Sequence, residues 1–152
     1  MSELLQPKVD NFPCRHYTLE VFCRLAEGSI LAKKRILVVD DNLHLLKVVR
    51  IGLELRGFDV ATAETGKAAL DEVATREPDV MLLDIRMPHV DGFDVLRQLR
   101  SISDLPVIVY SATPDCYSDA LACGANAFLS KPFDLDWLVQ LIEEITASPT
   151  ET

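Results

Sequence analysis

Four stretches of this chain are apolar on nearly every residue rather than on alternate ones: Ile36-Leu-Val-Val39, Val80-Met-Leu-Leu83, Val107-Ile-Val-Tyr110 and Ala127-Phe-Leu129. A strand with one wet face alternates; a strand apolar on both faces needs cover on both. The segments between these runs supply that cover, because their apolar residues recur at helical spacing. The pattern predicts strands over Arg35–Val39, Phe58–Thr62, Val80–Leu83, Pro106–Tyr110 and Ala127–Leu129. Helices are predicted over Leu43–Arg56, Gly66–Thr75, Phe93–Arg100, Pro114–Cys123 and Leu135–Ala147. Gly57 and Gly124 stand as stops, Thr65 as a cap and Pro114 as a favoured first residue.

Strands alternating with helices imply a parallel sheet covered on both faces. Right-handed crossovers place helices on both faces only if the strand order reverses once. Five strands fit the doubly wound, flavodoxin-like order 2-1-3-4-5, in which ligands bind at the carboxyl ends of the strands beside the reversal. That reversal lies between the first and third strands, which run into Asp40-Asp41 and Asp84. Asp84 is the sharpest case, since a buried run, Val80-Met-Leu-Leu83, ends directly on a carboxylate. The fourth strand runs into Ser111 and the fifth toward Lys131.

Three converging carboxylates repel one another and call for a cation. Hard oxygen ligands suit Mg²⁺, which keeps waters and completes its shell with phosphate oxygens. With a hydroxyl from Ser111 and an ammonium from Lys131, the set matches phosphoryl transfer to an aspartate, where positioning and charge neutralisation carry the catalysis.

The bulk numbers fit this. A length of 152 residues predicts one domain, and a net charge of −9 argues against a nucleic-acid-binding surface. No apolar run approaches a membrane span, and no basic-then-apolar leader stands at the start. Cys14, Cys23, Cys116 and Cys123 form no CxxC pair, and His16, His44 and His89 are scattered, so reduced thiols in a cytoplasmic protein are expected rather than a zinc site.

Asp40-Asp41, Asp84 within "LLDIRMPHVDG", "YSA" at 110–112 and Lys131-Pro132-Phe133 together resemble the motifs of a response-regulator receiver domain. This is the phospho-acceptor half of two-component signalling, here most like a stand-alone, chemotaxis-regulator-like receiver. The resemblance covers roughly residues 33–147. It implies that Asp84 is the phosphorylated residue and that Asp40, Asp41, Asp84 and the backbone carbonyl of Arg86 hold Mg²⁺, Asp41 most directly. Ser111 and Lys131 would bind the phosphoryl group, Ser111 and Phe128 would act as the switch, and the Lys131–Pro132 bond would be cis. A histidine kinase or histidine phosphotransfer protein would supply the phosphate. The protein would be a regulatory switch rather than an enzyme, with at most self-phosphorylation from small donors and autodephosphorylation.

Competing readings attach to particular residues. Asp40 or Asp41 could cap the first helix, and Phe128 could be plain core. An aspartyl-phosphate hydrolase on the same fold would place a second Asp where Arg86 stands, and a flavin binder would not put Asp40-Asp41-Asn42 at the phosphate loop. Arg86 borders the path of a hydrolytic water, so an altered phosphoryl lifetime is expected. Pro114–Cys123 and Leu135–Ala147 contain no Lys or Arg, which argues against a salt-bridged homodimer through those helices, although a homodimer of another kind stays open. Tyr117 and Trp137 could lie off the buried stripes as partial anchors for a partner, and Trp137 could equally pack against Leu141. Residues 1–32 read as an extension, flexible or carrying one short helix at Leu19–Glu27, and 148–152 as a tail. The chain could also be the receiver part of a longer regulator.

Overall fold

The computed structural model describes residues 33–147, so the expectations for 1–32 and 148–152 lie outside the described residues. Five strands form one parallel sheet: β1 (Arg35–Val39), β2 (Asp59–Ala63), β3 (Val80–Asp84), β4 (Val107–Ser111) and β5 (Ala127–Ser130). Their order is β2-β1-β3-β4-β5, the doubly wound arrangement the sequence predicts. Five α-helices cover it: α1 (Leu43–Glu54), α2 (Gly66–Arg76), α3 (Gly92–Arg100), α4 (Tyr117–Ala122) and α5 (Leu135–Thr146).

The strand runs are apolar on both faces because each face has its own core. Ile36, Val38, Leu82, Ile108 and Tyr110 point toward Leu46, Leu53, Leu138 and Ile142 of α1 and α5. Leu37, Val39, Met81, Leu83 and Val109 point the other way, toward Ala69, Leu96, Leu99 and Ala120 of α2, α3 and α4. β3 is the central strand of the five, and all five of its residues are buried. Each fully buried leucine contributes about 2 kcal/mol of transfer free energy, so β3 is anchored at both faces before its terminal carboxylate is considered.

Several boundaries differ from the sequence reading. The Pro114–Cys123 helix is two pieces, a 3₁₀ turn at Pro114–Cys116 followed by α4 at Tyr117–Ala122. Pro114 sits in that 3₁₀ turn; it removes a backbone donor, and the tighter winding there needs fewer α-type bonds. β2 lies one residue later than expected, over Asp59–Ala63, with Phe58 buried just before it. α1 ends at Glu54 rather than Arg56, and Val48, which stands at helical spacing with Leu45, Leu46, Val49 and Leu53 in the sequence, is exposed with Ile51 and Leu55. The cap of α1 is Asn42, whose side chain accepts from the N–H groups of His44 and Leu45. Neither Asp40 nor Asp41 is the cap residue, which leaves their oxygens for other partners.

A two-residue ladder, Arg86–Met87 against Val90–Asp91, follows β3 and was not expected. His89 sits in its turn with φ at 70°, the left-handed region. Trp137 is half-buried and packs, with Leu141, against the α1–α5 core, the second of its two readings, and Tyr117 meets Phe128 edge-on at 5.7 Å. At the opposite end of the sheet from the carboxylates, Arg100 donates to the carbonyls of Gly124 and Leu105 and to Asn126, tying α3 to the start of β4 and β5. Among the described residues no helix is long and apolar enough to cross a membrane.

Candidate functional site

Because the five strands are parallel, their carboxyl ends open on one side, and the order reversal separates the connections leaving β1 and β3. Asp40 follows β1 and is 1% exposed. Its backbone N–H donates to the Ala63 carbonyl at 3.1 Å, which continues the β1–β2 ladder by one residue. The side chain is held at both oxygens. Oδ1 accepts the Asn42 N–H at 2.8 Å, while Oδ2 accepts the Tyr110 hydroxyl at 2.7 Å and Lys131 Nζ at 3.2 Å. Asp41 is exposed at the mouth.

Asp84 closes β3 and is 3% exposed. Oδ1 accepts the Arg86 N–H at 3.0 Å and Oδ2 lies 3.4 Å from Lys131 Nζ. One oxygen each from Asp40, Asp41 and Asp84 lie within 4.8 Å of one another. Ser111 ends β4 at 1% exposed, its Oγ accepting the Thr113 N–H at 3.1 Å and its carbonyl accepting the Lys131 N–H at 2.9 Å. That backbone bond sets Lys131 beside Ser111 and sends its side chain across to both buried carboxylates. The Lys131–Pro132 peptide is cis.

The electrostatics separate the two buried acids. Burial pushes the Asp84 carboxyl up to about 6, and the Asp40 charge adds to the rise; the Arg86 N–H and Lys131 pull it only partway back. Burial also acts to raise Asp40, but the Asn42 N–H, the Tyr110 hydroxyl and Lys131 together outweigh it and hold that carboxyl below its ordinary value. Burial and the facing carboxylates push the Tyr110 phenol well above its usual range, so it stays a donor. One lysine therefore serves two carboxylates, and it leaves Asp84 under-neutralised. Three oxygen-donor acids with a shortage of positive charge fit a hard divalent cation better than a soft one.

The structure brings Asp40, Asp41, Asp84, Ser111 and Lys131 together at one crevice. Arg86 lies at its edge as an exposed residue whose backbone already serves Asp84. Phe128, half-buried on β5, pairs in register with Val109 and packs with the second core. A groove of about 610 Å³ opens beside the crevice, lined by Arg86, Pro88, His89, Phe93 and Cys116 among others. Tyr110 was missed by the sequence reading, which took it as the end of an apolar strand. The signal was present, since a tyrosine in a fully buried strand needs a partner for its hydroxyl.

Comparison with known proteins points the same way. Residues 36–143 match the response regulator receiver domain family. The chain is 44% identical over 103 residues to the transcriptional regulatory protein KdpE of Mycobacterium tuberculosis, covering 66% of this chain and 46% of that protein. It is 43% identical over 109 residues to the response regulator MprA of Mycolicibacterium vanbaalenii, covering 69% and 47%. The chain thus spans about half the length of these curated relatives. Among solved structures, the Vibrio cholerae chemotaxis protein CheY4 superposes with a TM-score of 0.70 at 28% identity, over 75% of this chain and 99% of that one. A response regulator receiver domain from Bermanella marisrubri does so with a TM-score of 0.70 at 35% identity, over 75% and 98%.

Proposed function

This chain belongs to the response regulator receiver family, and from that we propose that Asp84 is its phospho-acceptor, charged by a histidine kinase or histidine phosphotransfer protein. The observation that carries the reading is the meeting of Asp84 with Asp40, Asp41, Ser111 and Lys131 at the carboxyl ends of adjacent strands. A carboxylate oxygen of Asp84 attacks the phosphorus of a phosphohistidine or of a small acyl phosphate. The bond from phosphorus to the donor nitrogen or oxygen breaks, and the leaving group takes the electron pair. Lys131 exchanges its contact with the free carboxylate for one with a phosphoryl oxygen, and the Ser111 hydroxyl turns from the Thr113 N–H to donate to another. Asp40, Asp41, Asp84 and the Arg86 carbonyl would hold Mg²⁺, which when bound offsets the charge of the carboxylates and the incoming phosphoryl group.

The donor approaches from the side of the groove beside Arg86 and His89. Movement of Ser111 toward phosphate vacates space next to Phe128, which turns inward and changes the surface around α4 and β5. Residues 33–147 form the receiver, in the cytoplasm, and its output passes through protein partners rather than direct nucleic-acid contact. The half-length match to KdpE and MprA supports a second reading, in which this chain corresponds to the receiver part of a longer regulator. Any homodimer would not use an Arg/Lys-to-acid face, because α4 and α5 carry no Lys or Arg.

The reading is tested by incubating the full chain with acetyl phosphate and Mg²⁺ and measuring intact mass. One added phosphoryl group is expected, absent without the metal and absent in Asp84→Asn. No adduct in the unmodified chain under any of these conditions contradicts it. Arg86→Ala is expected to change the rate at which the adduct is lost, because the long cation at the crevice edge meets the path of the attacking water. An unchanged decay rate, followed by mass over time, would remove Arg86 from the account.

A further inference from the structure

We propose that the Tyr110 hydroxyl is a positioning group for the acidic cluster, locking Asp40 in the orientation the cation needs; this rests on the Mg²⁺ reading above. Tyr110 is fully buried on β4, so its hydroxyl has no water to turn to. It stands 2.7 Å from Asp40 Oδ2 and 3.1 Å from the Val39 carbonyl. A phenol has one hydrogen to give, and the shorter bond to a charged acceptor takes it. With Asn42 N–H on Oδ1, the carboxylate is fastened at both oxygens and cannot rotate.

The same ring also carries the counter-charge. Lys131 Nζ lies 4.7 Å from its centroid, and Phe133 supports it edge-on at 5.9 Å. One side chain therefore touches both Asp40 and the ammonium that bridges Asp40 to Asp84, and fixes their separation. Without the hydroxyl, Oδ2 keeps Lys131 as its partner and follows a flexible side chain. Asp40 then no longer presents a fixed wall opposite Asp41 and Asp84. Phenylalanine at this position keeps the ring contacts with Lys131 and Phe133 and removes the hydroxyl alone.

Groups that orient carboxylate ligands are worth about 10-fold or more in metal affinity. Titrating Mg²⁺ calorimetrically into the full chain and into Tyr110→Phe should therefore show about 10-fold weaker binding in the variant. A role in folding alone would lower thermal stability and leave the affinity of the folded protein in place. Unchanged or tighter binding overturns the proposal. If the unmodified chain binds no Mg²⁺, the reading of the cluster falls first and the proposal with it. Should Tyr110→Phe fail to fold, the unmodified chain labelled with ¹³C at tyrosine Cζ gives the answer. The Tyr110 resonance is expected to move with Mg²⁺ at the calorimetric half-saturation, and a stationary resonance at saturation overturns the proposal.

Discussion

Asp84→Asn is expected to raise the thermal stability of the metal-free protein at pH 7.5, although it removes a charge that faces a lysine. The folded Asp84 carboxyl titrates at about 6 against an ordinary 3.8. Between those values the unfolded chain has lost the proton and the folded chain has kept it. Stability from this group is therefore fully present below about pH 3.8, falls as pH rises, and is lost above about 6. At 1.36 kcal/mol per pH unit the cost of the ionised form above that window is about 3 kcal/mol. Asparagine removes that cost but sets an amide beside Lys131, so a net gain of about 1–2 kcal/mol is expected, or roughly 4–8 °C in Tm. Asp40 has the opposite sign: its depressed carboxyl contributes stability above its ordinary 3.8 that is lost at lower pH, outside this window. The gain in the variant should therefore shrink steadily between pH 6 and pH 4 in chelator. A variant less stable than the parent at pH 7.5 would mean that the Lys131 attraction outweighs burial.

Gly92→Ala is expected to destabilise the protein by about 3 kcal/mol and to weaken Mg²⁺ binding with it. Gly92 is buried at the start of α3, and its N–H closes the loop by donating to the Ile85 carbonyl at 3.0 Å. A Cβ there would meet Ile85 Cα at 2.5 Å and the carbonyl oxygens of Asp84 and Ile85 at 2.6 Å and 2.9 Å. All three are backbone atoms of the segment that carries the Asp84 carboxylate, so relief requires moving Asp84 itself. The comparison that isolates this is Gly52→Ala in the middle of α1. Its new Cβ meets the side chain of Leu135, a flexible end that can swing, and alanine improves helix propensity by about 1 kcal/mol. Urea unfolding of both variants checks the pair. A Gly92→Ala loss below about 1 kcal/mol would show that the loop has slack the close contacts deny.

The same glycine illustrates what the sequence carries. The run Val80-Met-Leu-Leu83 ending on Asp84 was legible because burial on both faces leaves a strong, local apolar signal, and a carboxylate at its end breaks it. Strand order followed from handedness, which requires one reversal, together with the common doubly wound order that five strands fit. Pro88 and Gly92 are turn-forming residues just after Asp84, but the small ladder at Arg86–Met87 and Val90–Asp91 was not legible, since two-residue pairings leave no period. The split of the Pro114 helix was likewise hidden, because 3₁₀ and α windings share their apolar spacing over one turn. Asn42 displaced the two aspartates as cap through geometry that all three residue types satisfy equally in sequence. Tyr110 required knowing that β4 lies beside β3, with β1 on β3's other side, so that a strand residue 70 positions from Asp40 reaches it.

The central claim, that Asp84 takes the phosphoryl group, is tested most directly by reducing the phosphorylated chain with borohydride and sequencing its peptides by mass. Borohydride converts an acyl phosphate on aspartate into homoserine and leaves free carboxylates untouched. Homoserine at position 84, appearing only after treatment with acetyl phosphate and Mg²⁺, is the predicted result. Homoserine at position 40 or 41, or a phosphoryl group that survives on serine or histidine with position 84 unmodified, would contradict it.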